Sequence, residues 1–217
     1  MKTPVLVCAL FALIFHARTT PLAFIALNRQ TLNPGKLPPN WQIKVNHGRP
    51  DYGVCQDNSA GPCLHLKSVG ASFGLERKVD VHPAQLPFLT WRWKVTQLPA
   101  GADFRRSTTD DQAAQVLVAF EDNRVLTYIW DSTAPKGTAA AAPSFPLVHI
   151  FAVVCESGAS DANRWVSETR NVAADFERAF GRPAPRVKGL RLQINSQHTG
   201  TVAESYFGEV AFRSTPE

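Results

Sequence analysis

The sequence predicts an all-β protein, a two-sheet jelly-roll-like sandwich with one short helix, and three observations indicate this fold class. Short apolar segments recur along the chain, 16 Pro and 13 Gly are scattered among its 217 residues, and a single segment has helical spacing. Many short strands separated by turn residues are typical of sandwiches. The irregular, often long links between the segments favour a jelly roll over a meander barrel.

The strand pattern is clearest between residues 88 and 130. Three apolar segments lie there: Phe88–Val95, Gln112–Phe120 and Arg124–Trp130. Residues two apart share a face of a strand, so Trp91 and Trp93 mark one face of the first segment, and Arg92 and Lys94 mark the other. The Trp face is predicted to enter the core. The polar face is either a solvated surface or the floor of a ligand groove.

The N-terminus has the pattern of an export signal. Lys2 precedes an apolar stretch over residues 5–15, which is shorter than the about 20 apolar residues of a membrane span. We therefore expect a signal peptide over residues 1–23 with its cleavage site open, an N-terminal arm over 24–40, and a single β-sandwich domain over 41–217. An uncleaved leader that anchors the protein is the alternative. The predicted location is the periplasm or the outside of a bacterial cell.

The charge balance argues against a nucleic-acid partner. The formal net charge is +5; Lys2 and Arg18 of the leader are two of the 23 basic residues, which leaves 21 against 18 acidic ones, or +3. Nucleic-acid binding needs a concentrated basic stripe, and this chain has no basic run.

Three cysteines follow the predicted leader. Cys55 and Cys63 enclose a run of turn-forming residues, and in an exported protein we expect them to form a disulfide. Cys155 ends the segment Leu147–Cys155, which is predicted to be a strand covered on both sides. We expect Cys155 to be a buried, inert thiol, because His149 is about 20 Å away along that strand.

The remaining elements follow from periodicity and turn residues. Leu64–Val69 and Ser72–Val79 flank Gly70 and are predicted to pair as a hairpin. The link over residues 131–146, rich in Ala and Pro, either shapes the rim of a groove or is slack. Further strands are predicted over Trp41–Val45, Trp165–Arg170, Val187–Asn195 and Ala203–Phe212.

One helix is predicted directly after residue 170. Asn171 is a favourable N-cap, Val172 and Phe176 begin an apolar stripe at helical spacing, and Gly181 provides a stop before Pro183. The helix is therefore expected to be short and to bury one face.

Polar residues on several predicted strands are the candidate ligand contacts. They are Arg92, Lys94, Glu168, Arg170, Arg191 and Asn195, with Gln193 between the last two. If these strands share a sheet, the charges form one surface of mixed sign. Cross-strand ion pairs explain such a surface without a ligand, whereas a concave groove suits a polar ligand such as a saccharide. Tyr128 and Trp130 are predicted to supply a stacking platform.

The neighbouring carboxylates Asp110 and Asp111 form a second candidate site. Adjacent carboxylates repel, so they pair either with Arg105 and Arg106 or with a cation, and a Ca²⁺ site needs about six to eight oxygens. A glycosidase needs two carboxyls about 5–9.5 Å apart, and Glu168 with one of these aspartates is the nominated pair. The histidines lack ligand spacing and the common hydrolase and phosphate-loop motifs are missing, so we expect no metal and no cofactor.

The order of several short motifs is characteristic. The motifs are ASFGLERKV, WRWKV, GAD, DDQAAQVLVAF, YIW, then W-x-x-E-x-RNV-x-x-D-F-x-x-x-FG and YFGEVAF. In this order they resemble an exported bacterial family known as domain of unknown function 3047, over roughly residues 41–213. The resemblance implies export and a single globular domain, and it implies no activity or catalytic residue. Where the family shows an aspartate-x-aspartate pattern before a Thr, this chain has Asn195 to Thr199, so a metal held by those acids is expected to be lost.

These observations support three hypotheses of different classes. The leading one is an exported, non-catalytic β-sandwich protein that binds a polar ligand such as a saccharide. The first alternative is a structural or protein-interaction module of the cell envelope, which predicts a contiguous apolar surface patch. The second alternative is a glycoside hydrolase-like enzyme. The ligand's identity and the oligomeric state stay open.

Overall fold

The computed structural model describes residues 22–23, 37–142 and 147–216. Its elements in chain order are β1 (Leu22–Ala23), β2 (Gln42–His47), β3 (Asp51–Asp57), β4 (Gly61–Val69), β5 (Ser72–Val81), β6 (Phe88–Gln97), β7 (Ala114–Phe120), β8 (Arg124–Asp131), β9 (Ala139–Ala141), β10 (His149–Ser157), β11 (Val166–Asn171), α1 (Val172–Phe180), β12 (Val187–Asn195) and β13 (Val202–Arg213). The predicted signal peptide over residues 1–23 and arm over 24–40 lie almost entirely outside these residues.

The strands form two sheets packed face to face. Sheet A has six strands in the order β11-β6-β13-β4-β3, with β1 paired to β13, and sheet B has seven in the order β2-β5-β12-β7-β8-β10-β9. β8 and β10 are parallel neighbours. The predicted all-β, two-sheet jelly-roll-like sandwich with one short helix is confirmed.

Aromatic side chains from the two sheets meet in the core. The ring of Trp91 lies 5.2 Å from that of Tyr128, and the ring of Trp93 lies 5.8 Å from that of Trp130. All four side chains are buried. Large aromatics bury about 150–250 Å² each, so this contact between β6 and β8 supplies much of the apolar burial that holds the sheets together. The Trp face of β6 enters the core, as predicted.

The predicted hairpin around Gly70 is wrong. β4 pairs with β3 and β13 in sheet A, whereas β5 pairs with β2 and β12 in sheet B. The chain therefore crosses between the sheets at Gly70, whose φ of 54° favours glycine. Buried Ser68 supports this corner by donating to the main-chain carbonyl of Ala71 at 2.7 Å. A short glycine link suits either a hairpin or a sandwich corner, and local sequence does not separate them.

A different hairpin, β3–β4, carries the disulfide. Cys55 and Cys63 are cross-strand partners with their Cα atoms 5.0 Å apart, and their sulfurs are bonded, as predicted. At the turn between them, the Asp57 side chain accepts a hydrogen bond from the main-chain N–H of Ser59 at 2.8 Å. Disulfides persist in oxidising compartments, which indicates an extracytoplasmic protein.

The helix α1 begins and ends where the sequence predicts. The side chain of Asn171 accepts a hydrogen bond from the main-chain N–H of Ala174 at 3.0 Å, and Gly181 adopts the left-handed conformation with φ of 68°. Phe176 is fully buried, with its ring 4.4 Å from that of Phe120. The helix thus packs its buried face against the end of β7. Within the described residues, no helix is long and apolar enough to cross a membrane.

Cys155 is buried on β10 with 4% of its surface exposed. Burial raises the pKa of its thiol far above the ordinary range. Because the thiolate is the reactive form, Cys155 is the inert thiol that the sequence predicts.

Replacing Cys55 and Cys63 together by Ser should lower the free energy of unfolding. The two cysteines are eight residues apart, and closing a loop of that size stabilises a fold by about 2–3 kcal/mol on the chain-entropy model. Urea unfolding followed by Trp fluorescence measures the change. The unmodified protein with a reductant added serves as the control and should match the double variant; a midpoint unaffected by both treatments would contradict the prediction.

Candidate functional site

The outward-facing surface of sheet B forms a groove of about 1100 Å³ that extends from β2 to β10. Its floor consists of the residues that alternate along each strand with core residues. The volume slightly exceeds that of typical small-molecule sites, which range over about 300–1,000 Å³. We therefore take this groove as the candidate ligand site.

One half of the floor carries an amide cluster, which comprises Gln112, Gln115, Gln193 and Asn195. Gln115 Nε2 donates to Asn195 Oδ1 at 2.6 Å, and Gln193 Nε2 donates to Gln115 Oε1 at 3.4 Å. Asn195 Nδ2 donates in turn to the main-chain carbonyl of Asp110 at 2.8 Å. These bonds orient the amides. Since a side-chain amide has two N–H donors, the half-exposed Gln193 keeps one for a ligand.

Arg191 and Glu76 extend the polar floor from β12 to β5. Arg191 Nε donates to Glu76 Oε2 at 3.1 Å, and its Nη1 donates to Gln193 Oε1 at 3.3 Å. Gly74 is required beside this arginine, because a Cβ there would lie 2.8 Å from the main-chain oxygen of Leu192 and 2.9 Å from the Arg191 side chain. The result is a fixed row of donors and acceptors, with Arg191 and Glu76 both accessible from the groove.

The other half of the floor is an apolar strip, which comprises Gly189, Ala119, Val125, Ile150 and Ala142. In the strand register, Gly189 of β12 lies beside Ala119 of β7, which lies beside Val125 of β8, which lies beside Ile150 of β10. The main-chain N–H of Ala142 donates a hydrogen bond to the carbonyl of Ile150. All five are half-exposed. Four steps of about 4.8 Å between neighbouring strands make the strip about 19 Å long.

A wall made by two links borders the groove next to the amide cluster, because Ile129 is the cross-strand partner of Gln115. Phe104, from the link between β6 and β7, packs with Ile129 on the outer face of sheet B. Asp131 joins the two links, because its carboxylate accepts hydrogen bonds from the main-chain N–H of Phe104 at 3.0 Å and of Ala134 at 2.7 Å. The described part of the link over residues 131–146 contains β9 and belongs to this wall. Of the two interpretations of that link, the structure favours the groove rim.

Asp110 and Asp111 lie at the polar end of the groove, and the expected pairing with Arg105 is wrong. Arg105 pairs with the nearer Asp103 at 2.7 Å. Asp111 is fully buried and accepts from the main-chain N–H of Thr199 at 2.7 Å and from its hydroxyl at 2.8 Å. It therefore stabilises the turn between β12 and β13. Asp110 lines the groove, and burial raises the pKa of its carboxyl.

Tyr128 and Trp130 do not form a stacking platform, contrary to the prediction. Both are completely buried, because β8 directs them toward Trp91 and Trp93 of sheet A. The alternate residues of β8, among them Thr127, line the groove instead. Alternation shows that two faces differ, and only packing shows which one is covered.

Arg92 and Lys94 lie on the outer face of sheet A, on the opposite side of the molecule from the groove. The Lys94 ammonium is 5.1 Å from the ring centre of Trp165, 4.7 Å from that of Tyr206 and 2.9 Å from the Asp57 carboxylate. These partners enclose the charge, and Lys94 holds the pKa of Asp57 well below its usual range. The expectation of one shared charged surface is wrong, because β6 belongs to sheet A and β12 to sheet B.

Glu168 and Arg170 of β11 lie on the inner side of sheet A, not on its surface. Arg170 donates to both carboxylate oxygens of Asp175, at 2.9 and 2.7 Å, and the Tyr128 hydroxyl donates to the same carboxylate at 3.0 Å. Asp175 lies in the first turn of α1. Arg170 therefore links the helix to both sheets and does not reach the groove.

Glu168 and Glu156 form a carboxyl pair between β11 and β10. Glu156 is buried and forms a salt bridge with Lys136. Within the described residues, no donor lies beside the buried Oε1 of Glu168, whereas the Glu156 carboxyl is within hydrogen-bonding reach. A single proton shared between the two carboxyls explains both observations. Burial, followed by repulsion from Glu156, raises the pKa of Glu168 from about 4.5 to about 7.

The nominated glycosidase pair is not assembled, because Asp110 lines the groove and Glu168 does not. Among the described residues, the groove's other carboxylate is Glu76. Glu76 lies opposite Arg191 of β12, and Asp110 contacts Asn195 of the same strand. Arg191 and Asn195 are four residues apart, which is about 13 Å along a strand. Hydrolysis needs a separation of about 5–9.5 Å. The predicted catalytic geometry is therefore missing from this groove.

Sequence reasoning located part of the groove and missed part of it. Arg191, Gln193 and Asn195 lie in the groove, in the alternation expected for β12. Glu76 was missed because it sits in a strand whose charged residues resemble any solvated face. Gln115 could have been found from the sequence, since a Gln within the otherwise apolar β7 requires polar partners when it is buried.

The family comparison agrees with the order of the motifs. The sequence model of the family described as "Protein of unknown function (DUF3047)" matches residues 39–211. The chain belongs to this family. No curated protein matches it significantly in sequence.

Solved structures with similar strand arrangements come from several sources. The xyloglucanase domain of NopAA from Sinorhizobium fredii is 7% identical with a TM-score of 0.48, covering 79% of this chain and 92% of that one. A family 11 carbohydrate-binding module from Clostridium thermocellum is 7% identical with a TM-score of 0.44, covering 82% and 89%. The enzymatically active domain of tailspike protein 4 from bacteriophage CBA120 is 12% identical with a TM-score of 0.39, and the match covers 81% of this chain and 19% of that chain. Likenesses this distant say nothing about what the present chain binds.

Raising the pH from 5 to 8 should destabilise the fold through Glu168. The folded state keeps Glu168 protonated up to about pH 7, whereas the unfolded chain ionises it near its ordinary value. Folding therefore takes up a proton between those values, and stability falls as the pH rises through that window. The expected loss is about 1–3 kcal/mol, measured by urea unfolding at several pH values.

Glu168→Gln isolates this effect, because glutamine fills the same space without ionising. The variant should unfold with a flatter pH dependence and should be more stable than the parent protein at pH 8. Glu177→Gln, on the exposed face of α1, is the matched control and should keep the parent slope. An unchanged slope in Glu168→Gln would mean that the pair does not share a proton.

Proposed function

We propose that this chain is an exported, non-catalytic binding protein that holds a saccharide in the groove of sheet B. The observation that carries the proposal is the row formed by the amide cluster with Arg191 and Glu76, which is fixed by its own hydrogen bonds on the floor of an open groove. The predicted periplasmic or secreted location is part of the proposal, and the disulfide supports it.

A saccharide suits this row for a chemical reason. Each sugar hydroxyl is a donor and an acceptor at once, and side-chain amides, guanidinium and carboxylate offer both roles in fixed planes. Since Gln193 and Arg191 are already held in place by neighbours, a ligand orders few side chains when it binds. Such preorganisation reduces the entropic cost of association.

The arrangement of charge supports binding without hydrolysis. Glu76 is engaged in an ion pair with Arg191, which occupies this carboxylate within the groove floor. Asp110 lies about 13 Å away along β12, too far to act with Glu76 on one glycosidic bond.

The envelope-partner alternative predicted a contiguous apolar patch. Among the described residues, the exposed large apolar side chains are Val45, Val69 and Leu147. They lie in β2, at the end of β4 and just before β10. β4 belongs to sheet A, and β2 and β10 are separated by four strands of sheet B, so these three side chains do not make one patch. The contiguous apolar residues lie instead in the groove lining, which supports a groove-binding role over a docking patch.

Removing single members of the row should weaken saccharide binding. The purified protein is first applied to a glycan array, and the best ligand is then titrated by calorimetry. Gln193→Ala removes one neutral hydrogen bond and should weaken binding about 3- to 10-fold, and Arg191→Ala removes a charged one and should weaken it about 10- to 100-fold.

Thr169→Ala, on the exposed face of β11 in sheet A, is the control and should bind like the parent protein. An array without any bound glycan at millimolar ligand would overturn the proposed function. So would a ligand whose affinity is unchanged in both groove variants.

A further inference from the structure

The apolar strip leaves half of the groove without a function in saccharide binding. Its five residues are aliphatic or glycine and half-exposed, so a sugar hydroxyl above them would lose its hydrogen bonds to water. Aromatic rings, the usual apolar surface for a sugar ring, are not accessible there: Phe104, the phenyl ring among the described residues that line the groove, is 1% exposed. The surface that complements this strip is an aliphatic chain.

We propose that the groove binds an acidic saccharide that carries an aliphatic chain, with the sugar over the amide cluster and the chain along the apolar strip. This inference rests on the proposed saccharide-binding function and specifies the class of ligand.

Folding does not require a glycine at position 189, where the apolar strip begins. Its φ is not in the left-handed region, and a Cβ there would lie 3.5 Å from the Cβ of Ala119, an ordinary contact. The fold would accept a side chain at this position. The missing side chain therefore affects the groove alone, where it leaves the polar and apolar halves connected by an open channel.

The charge at that junction is complementary to an acid. Lys78 is exposed, lines the groove and is the cross-strand partner of Gly189. Among the described residues, no carboxylate pairs with Lys78. Glu76 is neutralised by Arg191, and the pKa of Asp110 is raised by burial. A carboxylate on the sugar ring, close to the carbon that carries the chain, would therefore meet a cation at this junction.

Alkyl glucuronides are probes that separate these features. Octyl glucuronide, below its critical micelle concentration, is compared by calorimetry with methyl glucuronide, octyl glucoside and octanoate. Each fully buried methylene strengthens binding about fourfold, so we expect octyl glucuronide to bind at least tenfold more tightly than methyl glucuronide. It should also bind at least threefold more tightly than octyl glucoside.

Two variants assign the gain to the strip and to the cation. Gly189→Leu fills the channel and should remove the preference for octyl over methyl glucuronide while retaining methyl glucuronide binding. Lys78→Gln should remove the preference for octyl glucuronide over octyl glucoside. Gly53→Leu is the matched control for the first variant, because Gly53 lies in sheet A and a Cβ there meets nothing within 4 Å.

The outcomes distinguish this inference from the function on which it rests. Equal affinity for methyl and octyl glucuronide overturns the inference and leaves saccharide binding intact. If the protein binds a glycan on the array but does not bind octyl glucuronide, the inference is likewise overturned and saccharide binding is left intact. Absence of binding to both the array and the glucuronides overturns the proposed function as well. Octanoate binding as tightly as octyl glucuronide would indicate a fatty-acid site and would also overturn the inference.

Discussion

The contact of Trp91 and Trp93 with Tyr128 and Trp130 is the constraint on which the rest of the molecule depends. It joins sheets A and B through their inner strands, and by alternation it decides what β6 and β8 present to the outside. β6 turns its cations outward, and β8 turns Val125, Thr127 and Ile129 outward. Because the large rings are committed to the core, the groove is left with amides on one side and aliphatic side chains on the other.

Lys94 on the outer face of sheet A and Gln193 on that of sheet B differ in how fully their polar groups are engaged. On sheet A, Lys94 lies between two rings and beside a carboxylate, so its charge is satisfied within the chain. On sheet B, Gln193 is held by its neighbours yet retains donor capacity toward an open groove. A ligand gains hydrogen bonds at the second face without displacing existing ones, which is the physical reason to place binding there.

Buried charges serve a different purpose at the edge of the sandwich. Arg170 and Asp175 tie α1 to both sheets, and Glu156 with Glu168 joins the edge strand β11 to β10. These groups lie between the sheets, where a low dielectric strengthens both attraction and repulsion. The raised pKa of Glu168 makes stability depend on pH, whereas the groove, on the other side of sheet B, keeps its own hydrogen-bond network.

Local signals in the sequence determined the fold class, the helix and the disulfide, because each depends on residues close together along the chain. Asn171 and Gly181 bound a helix by their own capping chemistry, and Cys55 and Cys63 face each other across a single hairpin. Only the tertiary structure decided which sheet each strand joins and which face is covered. A period of two shows that the faces of a strand differ, and the partner that covers one of them is set by contacts between residues distant in sequence. For that reason Tyr128 proved to be core, and the groove residues of β5, β7 and β12 came together only in the folded protein.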